Sequence, residues 1–305
     1  MESLTGYSAF VLAAEQHSYV AAGRILGISS SAVAKSISRL EAGLGVRLLS
    51  RTTRSVGLTD EGAIFYERCK RILDDIRDAE ATVSQSRERP KGRLRVSVPH
   101  IVGRHLLLPH LATFTQRFPE IELDINFEDR VVDIVAEGLD VAVRSGELTD
   151  TRLIARSIGK QHFVVCGSAT YFNHYNRPET PTELGRHICI HFKYPSSGRL
   201  APWSFRPPYG DLRLPESMIF NNTDAGLYAS IDGIGLAHLP VYVARPAIEA
   251  GVLKPVLADF MLPFGSLSLV WPSNRQLSPK VRAFVDFAIE RLQANSKAFL
   301  PIEAR

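Results

Sequence analysis

At 305 residues the chain exceeds one ordinary domain, so about two or three are expected. Its composition is 45% hydrophobic and 22% charged with no low-complexity tract, which excludes a disordered or fibrous chain and supplies ample apolar material for a core. The net charge of +4 leans weakly towards an anionic partner.

Three cysteines, Cys69, Cys166 and Cys189, are too few and too odd in number for a disulfide framework, which suits a reducing cytosol. The opening MESLTGYSAF has no basic stretch followed by an apolar core, so no signal peptide is expected. No apolar run approaches the roughly 18 residues of a spanning helix. A cytoplasmic protein without a membrane partner is predicted.

Residues 1–59 read as short helices. Phe10, Ala13 and Ala14 share one helical face. Ser18 is placed to cap a helix from Tyr19 to Leu26, Gly27 makes a turn, and Ser29 caps a third helix to about Gly43. Val33, Ile37, Leu40 and Leu44 recur at helical spacing and form its buried stripe. Two helices joined by a short glycine turn are a helix-turn-helix signature. The following VRLLSRTTRSVGLT alternates like a small hairpin, a wing.

Residues 60–88 are predicted to form one long helix. Phe65, Cys69, Ile72, Ile76, Ala79 and Val83 follow a heptad seam, with charged residues on the other faces. Such a seam calls for a partner, and the same helix of a second copy is the natural one. ERPKG at 88–92 breaks the pattern and reads as a linker.

Beyond it, strands alternate with helices. RLRVSV (93–98), IELDINF (121–127) and LDVAVR (139–144) are predicted strands, with helices over 103–118 and 131–138 between them. This order implies an open parallel α/β sheet. HFVVCG (162–167) opens a second α/β lobe containing HICIHF (187–192), and GIGLAHLP (233–240) and SLSLVW (266–271) are later strands. A final helix carries Val281, Phe284, Val285, Ala288 and Leu292. The boundaries expected are a head over 1–59, a linker helix over 60–88 and a two-lobed domain over 93–305. Its first lobe takes about 93–161 and 266–305, its second about 162–265.

The sequence resembles the LysR-type transcriptional regulators. In the head the resemblance rests on Ala14-Glu15, Ser18, Ala21-Ala22, Leu26, SSSAVAKSISRLE (29–41), LGVRLLSR (44–51) and LTDEG (58–62). Further on it rests on LLLPHL (106–111), RFPEIEL (117–123), EGLDVAVRSGEL (137–148), DTRLIARSIG (150–159) and GIGLAHLP (233–240). It spans almost the whole chain. It implies a winged helix-turn-helix that binds operator DNA, a dimerising linker helix, and a two-lobed effector domain resembling periplasmic binding proteins. It also implies a small-molecule effector and assembly as homodimers and tetramers.

Between Ser18 and Thr59 six basic residues, Arg24, Lys35, Arg39, Arg47, Arg51 and Arg54, face one acid, Glu41, a local charge of +5. This surplus suits phosphate binding. Ser31, Ala34, Lys35 and Ser38 project away from the apolar stripe and, with Ser30, form the expected groove-facing surface. Arg51 and Arg54 belong to the wing. Ser30 and Ala34 depart from the glutamine and serine frequent in the family, so operator preference is expected to differ.

A two-lobed α/β domain binds ligand between its lobes, near strand C-termini and helix N-termini. By family position Ser97, Pro99, His100 and Ile101 line one wall. Arg144 and Ser145 end the third strand, and Asn222, Thr223 and Asp224 precede a helix of the second lobe. His238 is a weaker candidate. A helix N-terminus and a cation favour a carboxylate-bearing effector. His187, Cys189 and His191 alternate along a predicted strand, as ligands of one soft ion or, more ordinarily, as packing. No nucleophile elbow, P-loop or convincing metal pair occurs, so no catalysis and no cofactor are expected. An α/β enzyme or solute carrier needs neither the basic head nor the seam. A ligand-independent, nucleoid-type DNA binder remains compatible with the same residues.

Overall fold

The computed structural model describes residues 4–51, 56–83, 89–146, 150–273 and 278–302. The chain divides into two compact units, Met1–Glu88 and Arg89–Arg305.

The first unit runs α1 (Leu4–Gln16), α2 (Tyr19–Leu26), α3 (Ser30–Leu44), β1 (Leu49–Arg51), β2 (Val56–Leu58) and α4 (Asp60–Val83). Ser18 and Ser29 cap α2 and α3 as expected, their hydroxyls accepting the N–H of Ala21 and Ala32 at 3.2 Å each. Val33, Ile37 and Leu40 are buried against Phe10, Ala13 and Ala14 of α1. Leu44 departs from the predicted stripe and is 44% exposed. It is the last residue of α3, and Gly45, with φ 72°, turns the chain away from the core there. β1 and β2 pair antiparallel, Leu49 with Leu58, as a wing.

The seam on α4 needs a correction. Phe65 lies 5.7 Å from the Phe10 ring and 6.2 Å from that of Tyr7, and Cys69 is buried in the same core. The first two seam positions therefore pack on the chain's own α1, and only later ones, such as Ile72 at 56% exposure, are open. A heptad pattern reports that a face is covered without saying by which chain. The side chains of Ala79 and Val83, and all of 84–88, lie outside the described residues.

The second unit holds two five-stranded sheets. The first comprises β3 (Gly92–Val98), β4 (Ile121–Phe127), β5 (Val141–Ser145), β6 (Leu153–Lys160) and a strand returning late in the chain, β12 (Ser266–Pro272), in the order β4-β3-β5-β12-β6. β3 runs parallel to β4 and β5, but β12 is antiparallel to both β5 and β6. The all-parallel expectation is thus corrected to a mixed sheet. The second sheet is ordered β11-β7-β10-β8-β9, from β7 (Phe163–Ser168), β8 (Cys189–Phe192), β9 (Met218–Phe220), β10 (Leu236–Pro240) and β11 (Leu253–Val256).

Helices cover these sheets: α5 (His100–Val102), a π-turn over Gly103–Leu107 and α6 (Leu108–Arg117) as one continuous run, then α7 (Ala169–Phe172), α8 (Thr223–Ile231), α9 (Val241–Glu249) and α10 (Pro279–Ala294). The run begins three residues before the predicted 103, because Asp129 accepts the first free N–H, that of His100, at 2.8 Å. The predicted helix at 131–138 is a single turn. Asp133 takes the N–H groups of Val135 and Ala136 at 3.0 Å, and Gly138 ends the turn with φ 65°. The apolar face of α10 (Val281, Phe284, Val285, Ala288 and Leu292) is buried as predicted.

Gly62 closes the LTDEG phrase for a steric reason. Thr59 caps α4, accepting the N–H of Gly62 at 2.9 Å, and a Cβ on Gly62 would sit 1.9 Å from the Leu48 carbonyl oxygen. Gly62→Ala is expected to destabilise the head by about 1–3 kcal/mol, the usual cost of overpacking. Gly43 lies in α3 with open space around its missing Cβ, so Gly43→Ala should stabilise by roughly 0.5–1 kcal/mol. Thermal melting followed by circular dichroism should move in opposite directions for the two variants.

Candidate DNA-binding head and ligand cleft

In the head, Ser30, Ser31, Lys35 and Ser38 are exposed and Ala34 is half-buried. Ser31, Lys35 and Ser38 stand at i, i+4 and i+7 on α3, one outward stripe. Ser31 Oγ lies 2.9 Å from Ser29 Oγ, so the capping serine and its neighbour form a small hydroxyl pair at the helix start. Arg24, Arg39 and Arg47, counted for charge but not singled out as contacts, are also exposed. Glu41, the lone acid of the segment, accepts the N–H groups of Leu48 at 2.9 Å and Leu49 at 3.0 Å. These bonds fasten the wing to α3 and occupy the carboxylate. His17 fixes the other wing strand through Nδ1 to the Val56 carbonyl at 3.1 Å. The Arg51 side chain and all of Arg54 lie outside the described residues.

In the second unit the two sheets enclose a cavity of about 670 Å³. Strand ends build it: β3 delivers Ser97, and Pro99 and Ile101 follow at the turn into α5, while β5 delivers Arg144 and Ser145. From the second sheet come Asn222 and Thr223 at the start of α8. Two predicted residues do not line it. His100 turns to Phe127, with ring centroids 6.0 Å apart, and to Asp224. Asp224 is buried and holds Arg104 Nη1 at 2.7 Å and His105 Nε2 at 3.4 Å. Successive helical residues diverge by about 100°, so Asp224 is spent on tying α8 to the π-turn while Thr223 faces the cavity.

Arg144 is half-buried in the lining, and its Nη2 donates to the Val132 carbonyl. Burial lowers its pKa, offset in part by Glu137, Asp133 and Asp150 at longer range. Among the described residues no carboxylate lies within ion-pair distance of it. Ser145 Oγ accepts from Gln161 Nε2 at 2.5 Å. Asn222 caps α8, its Oδ1 accepting the Ala225 N–H at 3.0 Å.

The remaining wall is aromatic and was not foreseen. Phe163, His238 and Trp203 all line the cavity. The His238 ring stacks on Phe163 at 4.7 Å and 16° and on Trp203 at 5.5 Å and 20°. Phe264 meets Phe163 edge-on at 6.3 Å. These residues are scattered from 163 to 264, so no local spacing signals them; only the solitary His238 stood out.

His187, Cys189 and His191 do not converge. His187 precedes β8 and its Nδ1 meets Tyr171 Oη at 3.0 Å. The Cys189 thiol, its pKa pushed up to about 12 by burial, points to the Leu184 carbonyl, and His191 Nε2 meets that of Pro215 at 3.0 Å. The packing reading applies to this trio.

Comparison with known proteins places both units. The description "Bacterial regulatory helix-turn-helix protein, lysR family" matches residues 4–63, and "LysR substrate binding domain" matches residues 87–293. An HTH-type transcriptional regulator of Xanthomonas campestris pv. campestris is 35% identical over 287 residues, covering 93% of this chain and 83% of that protein. The regulator CrgA of Neisseria meningitidis serogroup C is 32% identical over 291 residues, covering 94% and 96%. The solved CrgA structure superposes with a TM-score of 0.62 at 31% identity over 94% of this chain and 98% of that one. The full-length Vibrio cholerae activator AphB gives 0.57 at 26%, over 94% and 99%. With both family descriptions in register and relatives aligned over nearly their whole length, the chain belongs to the LysR-type family of transcriptional regulators.

Proposed function

We propose that this regulator reads operator DNA with α3 and the wing while an organic acid in the cleft sets its state. That it is a transcriptional regulator with an effector-binding domain, and not an enzyme, follows from its family. The residues assigned to DNA are Ser30, Ser31, Ala34, Lys35 and Ser38 on α3, with Arg51 and Arg54 in the wing. The observation that carries this is the outward stripe of α3 in a segment whose charge of +5 exceeds that of the whole chain. Such a surplus lets the head neutralise phosphates while short polar side chains approach base edges.

Ser97, Pro99, Ile101, Arg144, Ser145, Asn222 and Thr223 are assigned to the effector, and His100 and Asp224 to holding the surrounding helices. An acid is favoured because Arg144 carries a partly desolvated charge into the cavity lining without a carboxylate partner among the described residues. A bound carboxylate restores the solvation that burial removes.

The outward positions of α4, Ile64 and Ile72, are exposed apolar residues on a helix that otherwise presents charge. We assign them to pairing with a second copy through α4, and pairs of such dimers to a tetramer. The working location is the cytoplasm, where operator DNA lies.

Lys35→Ala should weaken operator binding about 10-fold and reduce the salt slope by about 1, with unchanged circular dichroism. Gel-shift titration at several salt concentrations checks this, and wild-type affinity overturns the assignment. Ile72→Asp should shift the protein towards monomer in sedimentation velocity without loss of helicity. In a thermal-shift screen, an organic acid at about 100-fold its Kd should raise the midpoint by several degrees. Stabilisation by neutral or cationic compounds alone would count against the acid.

A further inference from the structure

The chemistry of the cleft narrows the effector further. We propose that it is a hydroxylated aromatic acid of one or two rings, its ring packed against the open sides of Phe163 and Phe264 and its hydroxyl hydrogen-bonded to the His238 imidazole. This rests on the cleft being the effector site, as argued above.

Three observations carry it. First, the cavity presents ring faces and edges together: the three stacked rings, and Phe264 edge-on to Phe163 at 74°. Aliphatic and aromatic ligands bury similar apolar area, but only a π-system matches negative ring faces with positive edges. Secondly, the volume of about 670 Å³ far exceeds the needs of a short aliphatic acid, which would leave much of this wall in contact with water. Phe163 is half-buried and Phe264 is 36% exposed, so both still offer surface to a ligand.

Thirdly, His238 is 8% exposed, lines the cavity, and has its Nε2 buried without a hydrogen-bond partner. An unpartnered buried nitrogen is costly, and a ligand that satisfies it gains that cost back as affinity. The imidazole stays neutral, its pKa pushed down to about 3 by burial and then by His191. A neutral imidazole is a donor at one nitrogen and an acceptor at the other. A carboxylate satisfies Nε2 in only one tautomer and an ammonium in only the other. A hydroxyl both donates and accepts, so it satisfies either. The carboxylate is left for Arg144, and the two polar ends of the ligand are thereby distinguished.

The test is isothermal titration calorimetry of the full chain against the three monohydroxybenzoates, 1-hydroxy-2-naphthoate, benzoate, cyclohexanecarboxylate and succinate. At least one hydroxylated ring acid should bind on the order of 5-fold or more tighter than its unhydroxylated ring, and tighter again than cyclohexanecarboxylate. His238→Phe keeps a ring in the stack but removes Nε2. It should abolish the preference for the hydroxyl while retaining that for the aromatic ring, with unchanged circular dichroism.

Equal binding of cyclohexanecarboxylate or succinate overturns the proposal, as does no binding by any ring acid, or a hydroxyl preference that survives His238→Phe. Ser145→Phe fills the cavity from an exposed position and separates the two levels of the argument. Acids that bind wild type without ring preference and are lost in Ser145→Phe leave the cleft reading standing while this proposal falls. Ring acids that bind Ser145→Phe undiminished place the site elsewhere, and both fall.

Discussion

The effector unit depends on one short piece of pairing. The chain crosses between its sheets twice, from β6 to β7 at Gln161 and His162, and back into β12 at Phe264 and Gly265. The two crossings hydrogen-bond to each other: Gln161 N–H donates to Gly265 at 3.1 Å, and Phe264 N–H to Gln161 at 2.9 Å. Everything that makes the cleft a cleft follows from this. The chain joins the sheets at these crossings, and the Asp224 contacts with Arg104 and His105 tie the lobes a second time at the start of α8. Phe163 and Phe264 flank the same crossings. The proposed effector, resting on them, would touch the place where the chain joins the lobes, and it could favour one arrangement of them only by as much as it prefers that arrangement over another.

Charge is handled differently in the parts that must stay fixed and the parts that respond. Asp140 and Lys280 are each 3% exposed and 3.6 Å apart, and both are held by backbone: Arg95 N–H donates to Asp140 at 2.9 Å, and Lys280 donates to the Arg93 carbonyl at 2.5 Å. A buried pair with its remaining valences satisfied fixes how α10 meets β3. Asp224 plays a similar part for the π-turn and α8, taking Arg104 and His105 together. Arg144, by contrast, lines the cavity and, among the described residues, has a backbone carbonyl as its close partner. Satisfied charges hold the frame, and the underused one lies in the lining of the cavity proposed to take the effector.

Much of this was legible in the sequence where a single periodicity governs burial. Val33, Ile37 and Leu40 announce the inner face of α3, and the alternation of Leu94, Val96 and Val98 announces β3 as a strand with one covered face, although Arg95 and Ser97 between them are buried as well. What escaped had physical reasons. β6 is mostly exposed along IARS and shows no alternation, so it reads as loop. β9 is three residues long. The seam at Phe65 and Cys69 was visible as a covered face, but sequence spacing cannot name the cover, and α1 of the same chain supplies it. In the cleft, Ser97 was expected from the family resemblance, and Arg144 and Thr223 from their places at a strand end and a helix start. The aromatic wall was not, because Phe163, Trp203 and Phe264 meet only after both sheets are assembled.

Glu41 is the one acid between Ser18 and Thr59, and on a bare helix it would repel the polyanion that the head approaches. Its Oε1 instead receives two amide protons from the start of the wing. The charge is turned inward, and the same bonds set the distance between α3 and the wing. That fixed distance works as a ruler: on the proposed reading, α3 and the strand start it holds would meet the duplex together, with part of the loss of freedom on binding already met during folding. Association then depends on orienting a single body, and the sites it accepts are limited by the width and curvature of the groove as well as by the bases within it.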